Sequence, residues 1–583
     1  MGPRFVRGGL GLGLLSIVVT GPLALLVGQG AGGTIADPVR TENARRGTSR
    51  WMVVDAPAGA IEGYTSQVSV APGDRVELHV STDRSARYRV EIYRLGWYGG
   101  EGGRLILCRP GCGLDEAGSA QSIPPFDPAT GYVDAHWPVT DSIRVGDDWV
   151  SGYYVANLVL ANGAYAGRGS SVPFVVRASA KAAAAAILVQ ASVNTWQAYN
   201  DWGGMSLYHG PTGASCWPAC THVSFNRPYT NSAQGLLQYE LPLVHFLEKR
   251  GYDVSYTTDV DVDRDPDELL RHRLVIVAGH GEYWTKTIRD AYETARRAGT
   301  NLAFIGANIG YKQIHYADGR RTIVWYKTYS LDPEPDYALK AVRFRALIPP
   351  RPECELLGVQ YTKDDAAGVE SIGGPLDYTV NPDTLSDPWF ERTGFESGSM
   401  LPGLVGYEWD AVTPGCGTPP LTIFFQYRGD AANADAVRYT APSGARVFSG
   451  GSLRFSWGLD DLPASDGSGV RGDPRLQRFM ENGLRDLLRP APPAVVHVTV
   501  RPNGTVVTVN TRVDPRVIDT RIFRIPPSGH VQIGSSRAAP VCLTQGKICV
   551  DNAAPRHRRF RYAAVVDDRW GTSAPTLSQI IMR

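Results

Sequence analysis

Leu274-Val275-Ile276-Val277-Ala278-Gly279-His280-Gly281-Glu282-Tyr283-Trp284 joins five consecutive apolar residues to a glycine-punctuated polar turn. A strand exposed on one face alternates apolar with polar residues. A run without a polar break belongs to a strand covered on both faces, the condition of a parallel sheet flanked by helices. The neighbouring periodicity agrees. Residues 187–190 read as a short buried strand. Residues 235–250 read as a helix with Leu237, Leu241, Val244 and Leu247 on one stripe and Gly251 as its stop. Strand 254–257, helix 266–272, strand 274–278, helix 285–298 and strand 302–305 follow. This β-α-β-α-β-α-β order predicts a parallel sheet with helices on both faces.

On either side the period changes to two. In the strand around residue 90, Tyr88, Val90 and Ile92 face one way, while Arg87, Arg89, Glu91 and Tyr93 face the other. Further strands are expected at 75–80, 149–160 and 172–176, at intervals that suit a sandwich. The fold class is therefore multidomain, α/β plus all-β. An immunoglobulin-like sandwich is expected over 45–178, and the alanine-rich stretch 178–186 leads into an α/β domain over 186–489. After Ile309 the helical signal gives way to Pro-, Gly- and aromatic-rich strands, read as a β-rich elaboration that covers the sheet edge or roofs the site. A helix over 474–488 closes the domain. Residues 492–583 predict a second sandwich, resembling fibronectin type III, for spacing or adhesion.

With 583 residues, 43% of them apolar, the chain exceeds the roughly 250–300 residues at which single cores stop growing. Lys+Arg (59) and Asp+Glu (58) nearly cancel, so no whole-protein field holds nucleic acid, which is not an expected partner. Residues 1–36 read as an export signal: Arg4 and Arg7 precede an apolar run from Leu10 to Val27 that ends in small residues. The alternative is a retained anchor, which Gly11, Gly13 and Pro22 interrupt. The expected location is therefore secreted or extracytoplasmic. The eight Cys residues fall into local pairs, Cys108/Cys112, Cys216/Cys220 and Cys542/Cys549, leaving Cys354 for Cys416. In an exported chain these are disulfides, with no thiol left as nucleophile.

In open parallel sheets, ligands bind beyond the carboxyl ends of the strands. That rule selects the loops 194–204 (with Ser206 and Tyr208 beyond), 279–284 and 306–311. Each has a plain structural use. Gly279 and Gly281 would make a tight turn, and Glu282 would favour the positive end of the next helix. His280 and Glu282 together in one turn, opposite an aromatic-rich loop, point instead to a site. A Gly-x-Ser-x-Gly elbow and a His-Glu-x-x-His helix are both absent. His245 and Glu248 read as an exposed polar pair on an amphipathic helix. Asp259, Asp261 and Asp263 start like a calcium loop, but Arg264 and Leu270 stand where Gly and Glu are needed, so they read as a strand end and helix start.

Five motifs together are similar to the large-subunit family of N,N-dimethylformamidase, in its C-terminal region, over about half of the chain. They are Asn-Thr-Trp-Gln-Ala-Tyr-Asn-Asp-Trp-Gly-Gly (194–204), Gly-Tyr-Asp-Val-Ser-Tyr-Thr-Thr-Asp (251–259), Gly-His-Gly-Glu-Tyr-Trp (279–284), Gly-Ala-Asn (306–308) and Gly-Tyr-Glu-Trp-Asp (406–410). The resemblance implies an immunoglobulin-like domain on a glutamine-amidotransferase-like domain that lacks the usual Cys nucleophile. It implies a mononuclear Fe(III) held by two tyrosinates and a glutamate, with a small-molecule amide as substrate. Carried over by motif, Tyr199 and Glu282 are ligands. Tyr154, on a sandwich strand facing the α/β domain, is the expected second tyrosine, with Tyr153 and Tyr208 as alternatives.

His280, Asn308 and Glu408 match the positions around the metal: Glu408 as general base, His280 or Asn308 as partner of the developing oxyanion. Hard anionic oxygen donors suit Fe(III). The chain departs from that family in its signal and its added C-terminal sandwich. A contrasting reading is a non-catalytic cell-surface protein in which Trp196, Trp202, Trp284 and Trp409 grip a polysaccharide or peptide. A third, glycoside cleavage by Glu282 and Glu408, requires their carboxyls about 5–10 Å apart with sugar between them. No oligomeric state is assigned.

Overall fold

Strand Leu274–Gly279 is buried along its whole length, and a parallel strand pairs with it on each side. The computed structural model describes residues 38–362, 376–429, 432–464, 468–511, 514–528, 539–545 and 547–583. The expected export signal, 1–36, lies outside the described residues. The central sheet comprises β1 (Ile187–Ala191), β2 (Val254–Thr258), β3 (Leu274–Gly279), β4 (Asn301–Gly306), β5 (Leu376–Val380), β6 (Met400–Val405), β7 (Thr422–Arg428), β8 (Asn433–Thr440) and β9 (Arg446–Ser449). Among the described residues its spatial order is β2-β1-β3-β4-β9-β8-β7-β5-β6.

The half from β2 to β9 is parallel. From β9 onward every pairing is antiparallel. The β-rich segment expected to cover the sheet edge or roof the site covers that edge by pairing with it, so that β9 joins β4 and the later strands extend the same sheet. Its short connections, such as the one between β7 and β8, can only join antiparallel neighbours.

The helices that place the site are α1 (Val193–Ala198), α2 (Leu241–Lys249), α3 (Lys286–Arg297) and α4 (Pro474–Leu487). The helix expected over 235–250 is broken. A single turn, Ala233–Leu236, is followed by α2, because Pro242 lacks an N–H and its ring fits only a first helical turn. The helix expected over 266–272 is a 3-10 turn, Pro266–Arg271. The aspartate run forms a short helix, Asp259–Arg264, capped by Thr258.

His245 and Glu248 are both buried, contrary to the exposed pair expected, because α2 packs against other elements on both sides. Glu248 takes two hydrogen bonds from Arg94, at 2.7 and 3.0 Å. This buried ion pair ties the N-terminal sandwich to the α/β core.

That sandwich sets a three-stranded sheet against a six-stranded one, around Val90, Ile92, Tyr154, Ala156 and Leu158. The C-terminal strands form three- and five-stranded sheets among the described residues. They are held to the core by Arg273, which donates to Asp514 at 2.7 Å and also pairs with Asp568. All four expected disulfides are present. Among the described residues no helix is long and apolar enough to cross a membrane.

Candidate active site

The first strand-to-helix connection accounts for the 194–204 stretch side chain by side chain. The Asn194 amide donates to Asp259 Oδ2 at 3.0 Å, and its Nδ2 donates to the Tyr283 carbonyl at 2.9 Å. Thr195 Oγ1 accepts the Glu282 amide at 3.0 Å. Trp196 Nε1 donates to Glu240 at 2.8 Å, while Gln197 and the Asn200 carbonyl hold the buried guanidinium of Arg227. The motif thus clamps the 279–284 loop against the first loop. Helix α1 stops at Tyr199, whose hydroxyl is left facing Glu282. Gly279 takes a φ of 66°, and a Cβ on Gly306 would run into its carbonyl. Only glycines let β3 and β4 end this close together.

Glu282 is 1% exposed. Tyr199 Oη donates to its Oε2 at 2.7 Å, and Lys312 Nζ lies 2.5 Å from its Oε1. The same ammonium reaches the hydroxyls of Tyr208 and Tyr283, the latter at 3.3 Å, and those two hydroxyls hydrogen-bond each other. Tyr199 stacks on Tyr208 with centroids 4.8 Å apart. Trp325 presents its ring 4.2 Å from Lys312 Nζ. A cation therefore stands among three hard oxygens and an aromatic face.

Beside this cluster, His280 Nε2 lies 3.0 Å from Glu408 Oε2 and 3.4 Å from Glu282 Oε2. Asn308 Nδ2 donates to Glu408 at 2.9 Å. Asn308 adopts a φ of 51°, and its amide is held by Asp410 Oδ1 at 2.9 Å. Its side-chain oxygen is buried with no partner among the described residues. A cavity of about 260 Å³ opens onto Tyr199, Tyr208, Glu282, Asn308, Lys312 and Glu408.

The electrostatics divide the cluster in two. Tyr199 as a residue is 39% exposed, but its hydroxyl is turned inward onto Glu282, and desolvation there, then the charge of Glu282, pushes it above the usual phenol range. Burial and Glu282 likewise push Tyr208 up to about 12, against the opposing pull of Lys312. Burial works against a charged Glu408, but the His280 imidazolium and the hydrogen bonds from His280 and Asn308 outweigh it and hold that carboxyl down at about 2. His280 is raised in turn: burial opposes its charge, and Glu408 overcomes the opposition.

Of the residues expected here, Tyr199, His280, Glu282, Asn308 and Glu408 converge. Tyr154 does not. Its ring stacks on Trp149 inside the sandwich, centroids 5.2 Å apart, and its hydroxyl donates to the Val150 carbonyl at 2.8 Å. The reason is strand parity: in Gly152–Leu160, Tyr154 shares the sandwich-core face with Ala156 and Leu158. Tyr153, on the other face, packs against Trp196 and Tyr256. Tyr208, the remaining alternative, lies in the cluster with Tyr199 and Tyr283. The site is thus built from the strand-end loops and needs no residue from the sandwich.

Lys312 went unrecognised in the sequence. Its one signal was a lysine inside the apolar and aromatic run from Ile309 to Ile314, in step with Ile314 on the inward face. Trp196, Trp202, Trp284 and Trp409 are 6%, 4%, 0% and 3% exposed, so none is free to grip a polymer. The His280 ring nitrogen within 3.0 and 3.4 Å of the two carboxylates fills the gap that a scissile glycosidic bond would need.

The family model described as N,N-dimethylformamidase beta subunit-like, C-terminal, matches residues 89–469, almost two thirds of the chain. This chain belongs to that family. All of the converging residues fall inside the span shared with the N,N-dimethylformamidase beta subunit-like family, as does the whole central sheet from Ile187 to Ser449. The C-terminal sandwich lies beyond it.

No curated protein matches. Among solved structures, the chain is similar to the twitchin kinase region from C. elegans at 10% identity and a TM-score of 0.14, covering 16% of this chain and 17% of that one. An Fn3-like protein from Clostridium thermocellum is 16% identical at a TM-score of 0.13, covering 15% of this chain and 92% of that one. The FN1-FN3 domains of chicken CNTN1 are 10% identical at a TM-score of 0.13, covering 89% and 98%. These likenesses are too slight to define the fold.

Proposed function

We propose that this chain is an exported amide hydrolase that cleaves the C–N bond of a small non-peptide amide with the help of a mononuclear Fe(III). The observation that carries this reading is the meeting of two groups at one cavity. Glu282 with Tyr199 and Tyr208 forms a hard-oxygen cation cluster, and Glu408 with His280 and Asn308 forms a proton-transfer and hydrogen-bonding group. The fit to a metal rests on donor chemistry. A buried carboxylate already receives one cation, the Lys312 ammonium, at Glu282 Oε1 beside the hydroxyls of Tyr208 and Tyr283, while the Tyr199 hydroxyl meets its other oxygen. The phenols ionise only where a stronger positive charge offsets their burial. Tyr199, Tyr208 and Glu282 would hold the ion, with Lys312 turned aside from the carboxylate. When bound, such an ion polarises the amide carbonyl and acidifies water.

The residues around it have separate tasks. Glu408 is a carboxylate at neutral pH and takes the proton of the attacking water. His280, whose hold on its proton the Glu408 carboxylate strengthens, donates first to the developing oxyanion and then toward the leaving amine. The free Asn308 Oδ1 suits an N–H of the substrate or product. The four disulfides support a place outside the reducing cytosol. The flanking sandwiches are read as immunoglobulin-like and fibronectin III-like modules, and the central sheet as amidotransferase-like.

The test is amine release from a panel of small amides, beginning with N,N-dimethylformamide, by chain purified without chelators. Release by the native chain and none by Glu282→Gln, which stays folded but metal-free, supports the proposal. A folded native chain that retains iron but cleaves no small amide would overturn it.

A further inference from the structure

The near-cancellation of charge over the whole chain hides a local excess. Residues 492–583 hold thirteen Arg and Lys against five Asp and no Glu. The fold then separates the two signs along the C-terminal sandwich, whose strand Arg559–Asp567 runs from one end to the other. At the Asp567 end, Asp514 and Asp568 hold Arg273 of the core, and Arg521 pairs with Asp567 at 2.6 Å. At the Arg559 end the one acidic side chain among the described residues of the sandwich is Asp551. It is buried and already met by Arg524 and by the Tyr562 hydroxyl, each at 2.7 Å. Arg501, Arg556, Arg558 and Arg559 stand at this end too, all four exposed and none in an ion pair with a described residue.

These arginines belong to one fixed surface. Arg501 pairs with Gly504 across the first turn, Thr505 pairs with Asp551 where the next loop begins, and Arg559 pairs with Met582. Arg583 ties the three segments together. Its Nη2 donates to the Pro502 carbonyl at 2.9 Å, its Nη1 donates to the Ala554 carbonyl, and its own carbonyl accepts the His557 amide. Like charges held together in this way repel one another, and an anionic partner relieves that repulsion.

Apolar side chains stand among the charges. Met582 is 70% exposed and Ile580 43%, on either side of the buried Ile581. Met582 and Arg559, directly opposite in an antiparallel pair, share the outer face. The neighbouring rings of Phe560 and Tyr562 are buried, so they offer no platform to a sugar. Guanidiniums interleaved with protruding apolar side chains fit an anionic lipid interface, where phosphates take the charge and the acyl boundary takes the apolar groups. A soluble polyanion satisfies only the first requirement.

We propose that this end of the C-terminal sandwich docks the chain on an anionic phospholipid surface, with Arg501, Arg556, Arg558 and Arg559 at the headgroup phosphates and Met582 in the interface. Arg273 holds the opposite end of the sandwich, and none of these residues belongs to the Glu282 cluster, so the proposal does not depend on the hydrolase reading.

The experiment sediments the full chain with vesicles of phosphatidylcholine alone and of phosphatidylcholine mixed with phosphatidylglycerol, at low and high salt. The quantity read is the excess on the charged vesicles, because an apolar N-terminal segment would bind both alike. A clear excess that salt weakens is expected. Replacing Arg556, Arg558 and Arg559 together by Gln should lower that affinity about a hundredfold, and replacing them by Lys should keep it within about threefold. Thermal unfolding checks that both variants fold. Met582→Ser should weaken vesicle binding several-fold and leave binding of soluble polyphosphate, the second probe, unchanged. Equal binding to both vesicles overturns the proposal, as does an excess that survives the Gln replacements. Polyphosphate binding without vesicle binding, or vesicle binding indifferent to Met582→Ser, overturns it in favour of a soluble polyanion.

Discussion

His280 Nε2 stands 3.0 Å from Glu408 Oε2, and Asn308 Nδ2 donates to that same oxygen. The carboxylate proposed as the base is thus already aligned by the two groups proposed to stabilise charge beside it. Glu408→Gln keeps the shape and removes the base. The rate of amide cleavage should fall by about 10²–10⁴ while metal content stays at the native level. Amine release and elemental analysis on the same sample check this, and an unchanged rate would remove Glu408 from the proton-transfer role.

The two tyrosine candidates separate cleanly. Tyr208→Phe removes a hydroxyl from the cation cluster and should lower iron retention and shift the visible spectrum. Tyr154→Phe removes a hydrogen bond to the Val150 carbonyl inside the sandwich. It should cost about 1 kcal/mol of stability and leave iron unchanged. Metal loss in Tyr154→Phe, with retention in Tyr208→Phe, would reverse the assignment.

Lys312 and Glu282 are both buried, with nitrogen and oxygen 2.5 Å apart. Lys312→Met strands the carboxylate. In the presence of chelator the variant should be less stable than the native chain by about 3–5 kcal/mol. Iron should restore more stability to the variant than to the native chain, because no ammonium competes. Denaturant unfolding with and without metal measures both effects.

Glu240 accepts a hydrogen bond from Trp196, but burial dominates and pushes its carboxyl from 4.5 up to about 8. Below about pH 4.5, folded and unfolded chains both carry this proton and its contribution is fully present. Between there and about pH 8 the unfolded chain releases the proton and the folded chain keeps it, so stability falls as pH rises and then levels off. Glu240→Gln removes that loss. Thermal unfolding from about pH 5 to pH 9 should show the variant gaining on the native chain by up to a few kcal/mol. A constant difference across the range would contradict it.

The parallel half of the sheet was legible because β1, β3 and β4 are short apolar runs bounded by glycines and helices, a pattern that local sequence carries in full. That β9 would lie between β4 and β8, making the later strands an extension of the same sheet, depends on pairing between distant segments that leaves no local trace. The break before α2 was written in Pro242, and a reading of the Leu237–Leu247 stripe alone passes over it. The site was legible where residues sit on strand-end loops, as with Tyr199, His280, Glu282 and Asn308. It failed at Tyr154, where a one-residue difference in strand parity decides which core a side chain enters. It also missed Lys312, whose charge is explained only by oxygens brought in from other loops.

The central claim is that Tyr199, Tyr208 and Glu282 hold an iron used in amide cleavage. The most direct measurement is elemental analysis together with visible absorption of the chain purified without chelators. The expected result is about one iron per chain and a tyrosinate-to-Fe(III) charge-transfer band, which Glu282→Gln loses. Colourless, metal-free protein that stays inactive toward small amides after iron is added would contradict it.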